Sequence, residues 1–200
     1  IRGRPAIIYS LESFDKHADI DEIIVVTSAR NKEAIAKAIG NYSFKKIKAL
    51  CLGGRRRQDS VSKGLKAVTP ESNWVIIHDC ARPLIYGRLI TKVISAAKKT
   101  GAAILGVPVK ATIKSVREDF LVDKTVDRDN LWEIQTPQVF KKELILEAYN
   151  KYSRENFTDD ASLVEKLGKN VRVVPGSDEN IKITTSVDLL FAREIAGRRF

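Results

Sequence analysis

Short apolar runs alternate with stretches of helical periodicity along the first half of the chain, and this alternation restricts the possible folds most. The apolar runs predict strands at residues 23–26, 47–52, 74–77 and 102–107. The spacing of apolar residues predicts helices at residues 6–14, 31–39, 60–68 and 88–99. Strands and helices in this order form βαβ units with right-handed crossovers, so the sequence predicts an α/β protein with a parallel sheet.

The pattern changes in the second half of the chain. Residues 112–116 and 121–126 alternate in polarity around a charged turn, which predicts a hairpin arm within roughly residues 109–130. A lone hairpin is marginally stable in water, so we expect a partner subunit to stabilise it. Helices at 143–152 and 161–167, a strand at 171–174 and a last helix from Ser186 complete one domain over residues 1–200.

The composition excludes some classes of protein and favours anionic partners. No apolar run reaches the roughly 20 residues of a membrane-spanning helix. The net charge of +10 favours nucleotides, sugar phosphates or nucleic acid. The basic residues lack the interleaved aromatic residues that stack bases, which argues against nucleic acid. Cys51 and Cys80 form no disulfide framework or metal motif, which is typical of a reducing compartment.

Polar residues follow the strand predicted at residues 74–77. Asp79 and Arg82 lie three residues apart in HDCARP, directly after the apolar run. Open α/β sheets bind ligands at this end of their strands, so both are candidate site residues. The alternative is that the two side chains pair with each other and cap the next helix. We interpret His78 as a packed, hydrogen-bonded residue rather than a general base.

Three further polar clusters lie in predicted loops or at strand ends. GGRRRQDS at residues 53–60 precedes a helix, where glycines and free N–H groups accommodate an anion. Residues 125–138 read TVDRDNLWEIQTPQ, and residues 180–184 read NIKIT. Residues in the last two clusters also have structural interpretations. Arg128 could form an ion pair with Asp127 or Asp129, and Lys182 could be a solvated lysine. Residues 136–137 could form a turn, and Trp132 could lie in the core.

These clusters, in this order and spacing, resemble those of the 2-C-methyl-D-erythritol 4-phosphate cytidylyltransferases. The resemblance covers essentially the whole chain through GGRRRQDSV, HDCARP, TVDRDNLWEIQTPQVF, TDDASLVEKLG and ENIKIT. It implies a Rossmann-like nucleotidyltransferase fold, with a mostly parallel sheet, helices on both faces and a protruding hairpin arm. It also implies cytidylyl transfer from CTP, in the non-mevalonate isoprenoid pathway, by a homodimer that binds neither nucleic acid nor membrane.

The resemblance implies a nucleotide site. Asp79 would hold a Mg²⁺ ion that bridges the triphosphate, while Gly54 and Ser60 would contact the nucleotide, with free N–H groups from a helix that begins near Ser60. Lys182 would bind the nucleotide and act in catalysis by neutralising charge at the α-phosphate. Arg55 would also bind the nucleotide. It follows Gly54, where many members of the family carry an acidic residue near the ribose, so the ribose contact of this chain is open.

The resemblance also implies an acceptor site. Arg82, Thr112, Arg128 and Thr136 would bind the methylerythritol phosphate, with Arg128 as a catalytic fork onto its phosphate. Because Thr112 and Arg128 belong to the arm, we expect Arg128 to serve the neighbouring subunit's site.

The resemblance also bears on the start of the chain. The family opens with a strand and a Gly-rich loop around the CTP phosphates, and this sequence starts at Ile1, after that loop. We therefore expect residues 1–200 alone to bind CTP weakly and to turn over slowly or not at all. We expect a bacterial cytoplasmic location, with the plastid stroma left open.

Two other functions compete with this one. A ribitol-5-phosphate cytidylyltransferase shares the fold and the HDxARP motif, but the TVDRDNLW segment argues against it. A non-catalytic nucleotide- or RNA-binding module is the second alternative, and it is based on the net charge of +10 and the missing loop.

Overall fold

The computed structural model describes residues 1–199 and contains the predicted helices and strands together with one further strand, Trp132–Lys141. The helices are α1 Ala6–Asp15, α2 Lys32–Gly40, α3 Arg57–Leu65, α4 Gly87–Thr100, α5 Lys142–Tyr152, α6 Asp160–Lys166 and α7 Ser186–Arg199. The strands are β1 Ile23–Thr27, β2 Ile47–Leu52, β3 Trp74–Ile77, β4 Ala102–Pro108, β5 Ile113–Val116, β6 Val122–Val126, β7 Trp132–Lys141 and β8 Arg172–Pro175. No helix among these residues is long and apolar enough to cross a membrane.

The main sheet has four strands in the order β3-β7-β4-β8. Strand β4 is parallel to β8, whereas β7 is antiparallel to both β3 and β4. Three of the four strands therefore run in one direction, and the α/β class is confirmed. The prediction of a parallel sheet does not hold for the pairing of β3, since its partner β7 is antiparallel to it. Trp74 and Ile76 of β3 are half-buried.

The sequence analysis did not predict β7, although this strand lies at the centre of the sheet. Its register with β4 shifts between Ile104 and Leu105, which pair with Gln138 and Gln135. Thr136 and Pro137 therefore take no position in that ladder, and the bulge accommodates a proline that has no N–H to donate. The interpretation of residues 136–137 as a turn is wrong. Trp132, expected in the core, is 37% exposed.

Helices cover both faces of the main sheet because its strands alternate their apolar side chains between two core clusters. Val75, Ile104 and Phe140 face one cluster, with buried side chains of α5 and α6. Ala103 and Val139 face the other cluster, with the apolar side of α4 and Phe14 of α1. This packing confirms the prediction of helices on both faces.

Strands β1 and β2 form a separate parallel pair. Within residues 1–199, β1 pairs only with β2 and β3 pairs only with β7. An open, mainly apolar cleft of about 1030 Å³ lies between the free edges of β1 and β3. We call it the β1–β3 cleft.

Strands β5 and β6 form an antiparallel hairpin of their own. Five apolar side chains of this hairpin are exposed: Ile113, Val116, Phe120, Leu121 and Val122.

Candidate active site

The loop after β3 is held by a chain of hydrogen bonds through His78. The Nε2 atom of His78 lies 3.1 Å from the carbonyl oxygen of Arg82, which only accepts, so Nε2 carries the proton. The Nδ1 atom therefore accepts from the Thr136 hydroxyl at 3.1 Å, and that hydroxyl accepts from the backbone N–H of Asp79 at 3.0 Å. Burial lowers the pKa of His78 to about 4. The interpretation of His78 as a packed, hydrogen-bonded residue is confirmed.

Asp79 lies between two cationic side chains. The Arg57 Nε atom donates to its Oδ1 at 2.9 Å, and the Lys182 Nζ atom donates to its Oδ2 at 2.9 Å. Burial would raise the pKa of this carboxyl, but Arg57 and Lys182 outweigh it and lower the pKa to about 2. The Lys182 side chain is 43% exposed, as a solvated lysine would be, but it is also paired with Asp79, from which 103 residues separate it in the sequence.

Arg82 does not pair with Asp79 through its side chain, so that alternative interpretation is wrong. The buried Arg82 guanidinium donates to the carbonyl oxygens of Asn180 at 2.8 Å and Ile134 at 3.2 Å. The backbone N–H of Ile183 donates to the Ala81 carbonyl at 2.8 Å. These bonds hold residues 180–183 beside the loop after β3 and so bring Lys182 to Asp79.

Asn180 is fully buried and fixes the same segment to β7. Its Nδ2 atom donates to the Thr136 carbonyl at 2.9 Å and to Gln135 Oε1 at 3.2 Å. Because the β7 bulge removes Thr136 from the ladder with β4, this carbonyl is available. The sequence analysis noticed NIKIT but gave no role to Asn180. A buried amide could have been suspected only from its place in that motif.

The Gly53–Ser60 segment packs tightly against the start of α3. A Cβ atom at Gly54 would lie 2.3 Å from the Asp59 Cβ, so this position requires glycine. The Gly54 N–H donates to the Ser60 Oγ at 3.1 Å. Arg55 is exposed and has no hydrogen bond or ion pair with another part of residues 1–199, so it is available to a ligand.

Helix α3 begins at Arg57, three residues before the predicted position at Ser60. The Asp59 carboxylate accepts from the backbone N–H of Arg56 at 3.0 Å and so caps the helix earlier. The N–H of Ser60 already donates to the Arg56 carbonyl at 3.2 Å. The expectation that the free N–H groups of the helix lie near Ser60 is therefore wrong. The first turn of α3, which carries those groups, begins at Arg57.

Arg57 connects Asp79 to a second acidic residue that the sequence analysis did not single out. Its Nη1 atom lies 2.8 Å from Oδ2 of Asp160, which opens α6 and is fully buried. The Tyr149 hydroxyl donates to Oδ1 of Asp160 at 2.5 Å. The TDDAS motif was recognised, but a pattern of residue types does not reveal which carboxylate turns inward.

The two arm residues lie outside this network. The Arg128 guanidinium donates to the backbone carbonyl of Lys110. Within residues 1–199, neither Asp127 nor Asp129 forms an ion pair with Arg128, so that alternative interpretation is wrong. Thr112 is exposed in the same arm. The structure thus brings Asp79, Lys182, Arg82 and Thr136 together, while Thr112 and Arg128 stay with the hairpin.

Comparisons with known proteins agree with this geometry. The family model of 2-C-methyl-D-erythritol 4-phosphate cytidylyltransferase matches residues 1–198. A protein of that name from Alkaliphilus oremlandii is 45% identical, over 100% of this chain and 86% of the relative. Another from Caldanaerobacter subterraneus is 46% identical, over 96% of this chain and 86% of the relative.

Solved structures show the same relationship. The 4-diphosphocytidyl-2C-methyl-D-erythritol synthase of Anaerococcus prevotii superposes with a TM-score of 0.89 at 36% identity, over 98% of this chain and 88% of that one. The 2-C-methyl-D-erythritol 4-phosphate cytidylyltransferase of Thermus thermophilus superposes with a TM-score of 0.80 at 32% identity, over 97% of this chain and 89% of that one. With its Rossmann-like nucleotidyltransferase fold, this chain therefore belongs to the 2-C-methyl-D-erythritol 4-phosphate cytidylyltransferase family.

Proposed function

We propose that this chain transfers the cytidylyl group of CTP to 2-C-methyl-D-erythritol 4-phosphate in isoprenoid precursor synthesis. The products are 4-diphosphocytidyl-2-C-methyl-D-erythritol and pyrophosphate. The observation that carries the proposal is the placement of Asp79 and Lys182 together at the end of β3, 2.9 Å apart, in a chain that matches the family over residues 1–198.

The chemistry joins two anions without a covalent enzyme intermediate. A phosphate oxygen of the acceptor forms a bond to the α-phosphorus of CTP, and the bond from that phosphorus to the bridging oxygen breaks. Pyrophosphate leaves with the electron pair. The reaction therefore depends on positioning and on neutralising charge at the α-phosphate. Lys182 supplies a mobile positive charge for this purpose, since its side chain is 43% exposed.

A magnesium ion fits this site only if the substrate supplies most of its ligands. Within the described residues, no group of three or more His, Cys, Asp or Glu side chains is placed to hold a metal ion. Mg²⁺ commonly binds through one or two carboxylates together with substrate phosphates. Asp79 would hold the ion, and the ion would neutralise the triphosphate when it is bound.

The remaining predicted contacts extend the proposal to the nucleotide and the acceptor. Gly54 and Ser60 line the nucleotide site, and Arg55 is free to reach a ribose or phosphate. Arg82 and Thr136 form the floor of the acceptor site, in which their side chains already hold the surrounding backbone.

We further propose a homodimer through the hairpin. Its apolar residues, of which Phe120 is 91% exposed, need a cover in water, and a second copy provides one. In that dimer, Thr112 and Arg128 reach the partner's acceptor phosphate.

A pyrophosphate-release assay tests the proposed function. The complete natural polypeptide is incubated with CTP, Mg²⁺ and either methylerythritol phosphate or ribitol 5-phosphate. We expect turnover with methylerythritol phosphate only, and a loss of at least about 100-fold in Asp79→Asn. Turnover with ribitol phosphate would assign the competing transferase. No turnover, with salt-dependent RNA binding and no preference for CTP, would assign the binding module.

A further inference from the structure

The Asp79 carboxylate has two cationic partners, and they are held very differently. Among residues 1–199, Lys182 forms one ion pair, through Nζ, and its side chain is 43% exposed. Arg57 is held at two places, because Nε donates to Asp79 and Nη1 lies 2.8 Å from Asp160. A lysine ammonium is a single point charge on a flexible stem, whereas the planar guanidinium of arginine can bridge two carboxylates.

Asp160 is buried and is contacted at both of its carboxylate oxygens. Its side chain is 1% exposed, and the Tyr149 hydroxyl occupies the oxygen that Arg57 does not. The backbone around it is also held, since Ala161 donates to Gln138 Oε1 at 3.2 Å and Asp159 caps α6 by accepting from Ser162 at 3.1 Å. Asp160 therefore has one position from which to hold Arg57.

We propose that Asp160 is a positioning residue that acts through Arg57. It keeps Arg57 on Oδ1 of Asp79, so that Lys182 is the only exchangeable cation and Oδ2 is the only oxygen that becomes free. A triphosphate can then draw Lys182 away from Asp79 without releasing the carboxylate from its orientation. The inference rests on the proposed function, because it assigns Asp79 and Lys182 to the nucleotide site.

The burial of the network supports this division of roles. The charges of Asp160 and Asp79 raise the pKa of Arg57, although burial alone would lower it. Burial raises the pKa of the Tyr149 hydroxyl, and the neighbouring Asp160 raises it further, so the hydroxyl keeps its proton and remains a donor. Burial raises the pKa of Asp160, and the neighbouring Arg57 opposes that rise.

A double-mutant cycle tests whether Asp160 acts through Arg57. The variants are Asp160→Asn, Arg57→Gln and the double variant, each made in the same complete natural polypeptide as in the function assay. The readouts are kcat/KM for CTP and calorimetric binding of CTP with Mg²⁺. We expect each single change to lower kcat/KM by about 10- to 100-fold, in the range of second-shell positioning effects. The double variant should lie within about twofold of the more severe single variant, because the two residues act as one unit.

Further variants separate positioning from folding. Tyr149→Phe removes only the bond to Asp160, so it should reduce kcat/KM by a few-fold in the native background and not at all in Arg57→Gln. Glu165→Gln removes a charge from the exposed side of the same helix and should stay within about twofold of the unmodified protein. The KM for the acceptor should change by less than about twofold throughout, since Arg82 and Arg128 are not touched.

The outcomes are separable. If the reduction of kcat/KM in the double variant equals the product of the two single reductions, the positioning role is overturned and the proposed function stays intact. An unmodified protein that binds CTP without turning it over would overturn the proposed function, and the calorimetric cycle would still decide the role of Asp160. A protein that does not bind CTP at all would overturn both.

Discussion

Replacing Glu22 by Gln should weaken the attachment of the β1–β2 pair to the rest of the molecule. The Glu22 carboxylate accepts from the Thr69 N–H at 2.8 Å, from the Thr69 hydroxyl at 2.5 Å and from the Lys48 ammonium at 2.9 Å. Glu22 directly precedes β1, whereas Thr69 lies in the segment that leads to β3. These contacts therefore connect the two sides of the β1–β3 cleft.

The pKa of Glu22 sets the size of the effect. Burial opposes ionisation, but the bonds from Thr69 and Lys48 outweigh it and lower the pKa from 4.5 to about 2. At about 1.4 kcal/mol per unit of pKa, the carboxylate contributes up to about 3 kcal/mol to the free energy of unfolding near neutral pH. The side chain is 19% exposed, so solvent screening brings the expected loss in Glu22→Gln to about 2 kcal/mol.

The sign of the pH dependence follows from the depressed pKa. The contribution is complete above the unfolded pKa of 4.5 and is lost as the pH falls toward about 2. Between about pH 7 and pH 3.5, the difference between the two proteins should shrink by roughly 1.4 kcal/mol.

Urea unfolding followed by circular dichroism at both pH values measures this difference. Glu143→Gln is the matched control, because Glu143 forms an ion pair with Lys141 in which the two side chains are 73% and 50% exposed. This change should lower the free energy of unfolding by less than about 0.5 kcal/mol. An equal difference between Glu22→Gln and the unmodified protein at the two pH values would refute the reasoning.

Three other changes test the site and the hairpin. Lys182→Ala should lower kcat at least about 100-fold in the pyrophosphate assay, because it removes the mobile charge from the α-phosphate, and a smaller loss than about tenfold would contradict that role. Gly54→Ala forces a Cβ to within 2.3 Å of the Asp59 Cβ. It should cost about 1–3 kcal/mol in urea unfolding, and unchanged stability would show that the loop can shift freely. Phe120→Asp should convert the proposed dimer into a monomer in analytical ultracentrifugation, and an unchanged mass would place the interface elsewhere.

Local periodicity predicted most of the elements, since helices and strands that bury one face carry that face in their sequence. It failed at β7, where Gln135, Thr136 and Pro137 interrupt the apolar pattern. The polar side chains of Gln135 and Thr136 bond to Ser177, Asn180, His78 and the Asp79 N–H, and these partners come from distant parts of the chain. It also placed the start of α3 too late, because the apolar spacing begins only at Val61, whereas the Asp59 carboxylate caps the helix at the N–H of Arg56.

The candidate site was predicted by the motifs rather than by periodicity. The family resemblance placed Asp79 and Lys182 in one site, and the structure has them in contact across 103 residues. The same motifs could not reveal that Arg57 bridges Asp79 and Asp160, since that depends on how α6 packs against α3. The assigned ligand-binding and catalytic roles of all the site residues remain predictions.

The β7 bulge has a consequence for how the site is lost on heating. Thr136 accepts from the Asp79 N–H through its hydroxyl and from Asn180 Nδ2 through its carbonyl. Both segments that carry the Asp79–Lys182 pair are therefore attached to the central strand of the main sheet. Local opening of the site is then expected to require opening of that strand. The contact between Asp79 and Lys182 should persist up to the temperature at which the four-stranded sheet itself unfolds.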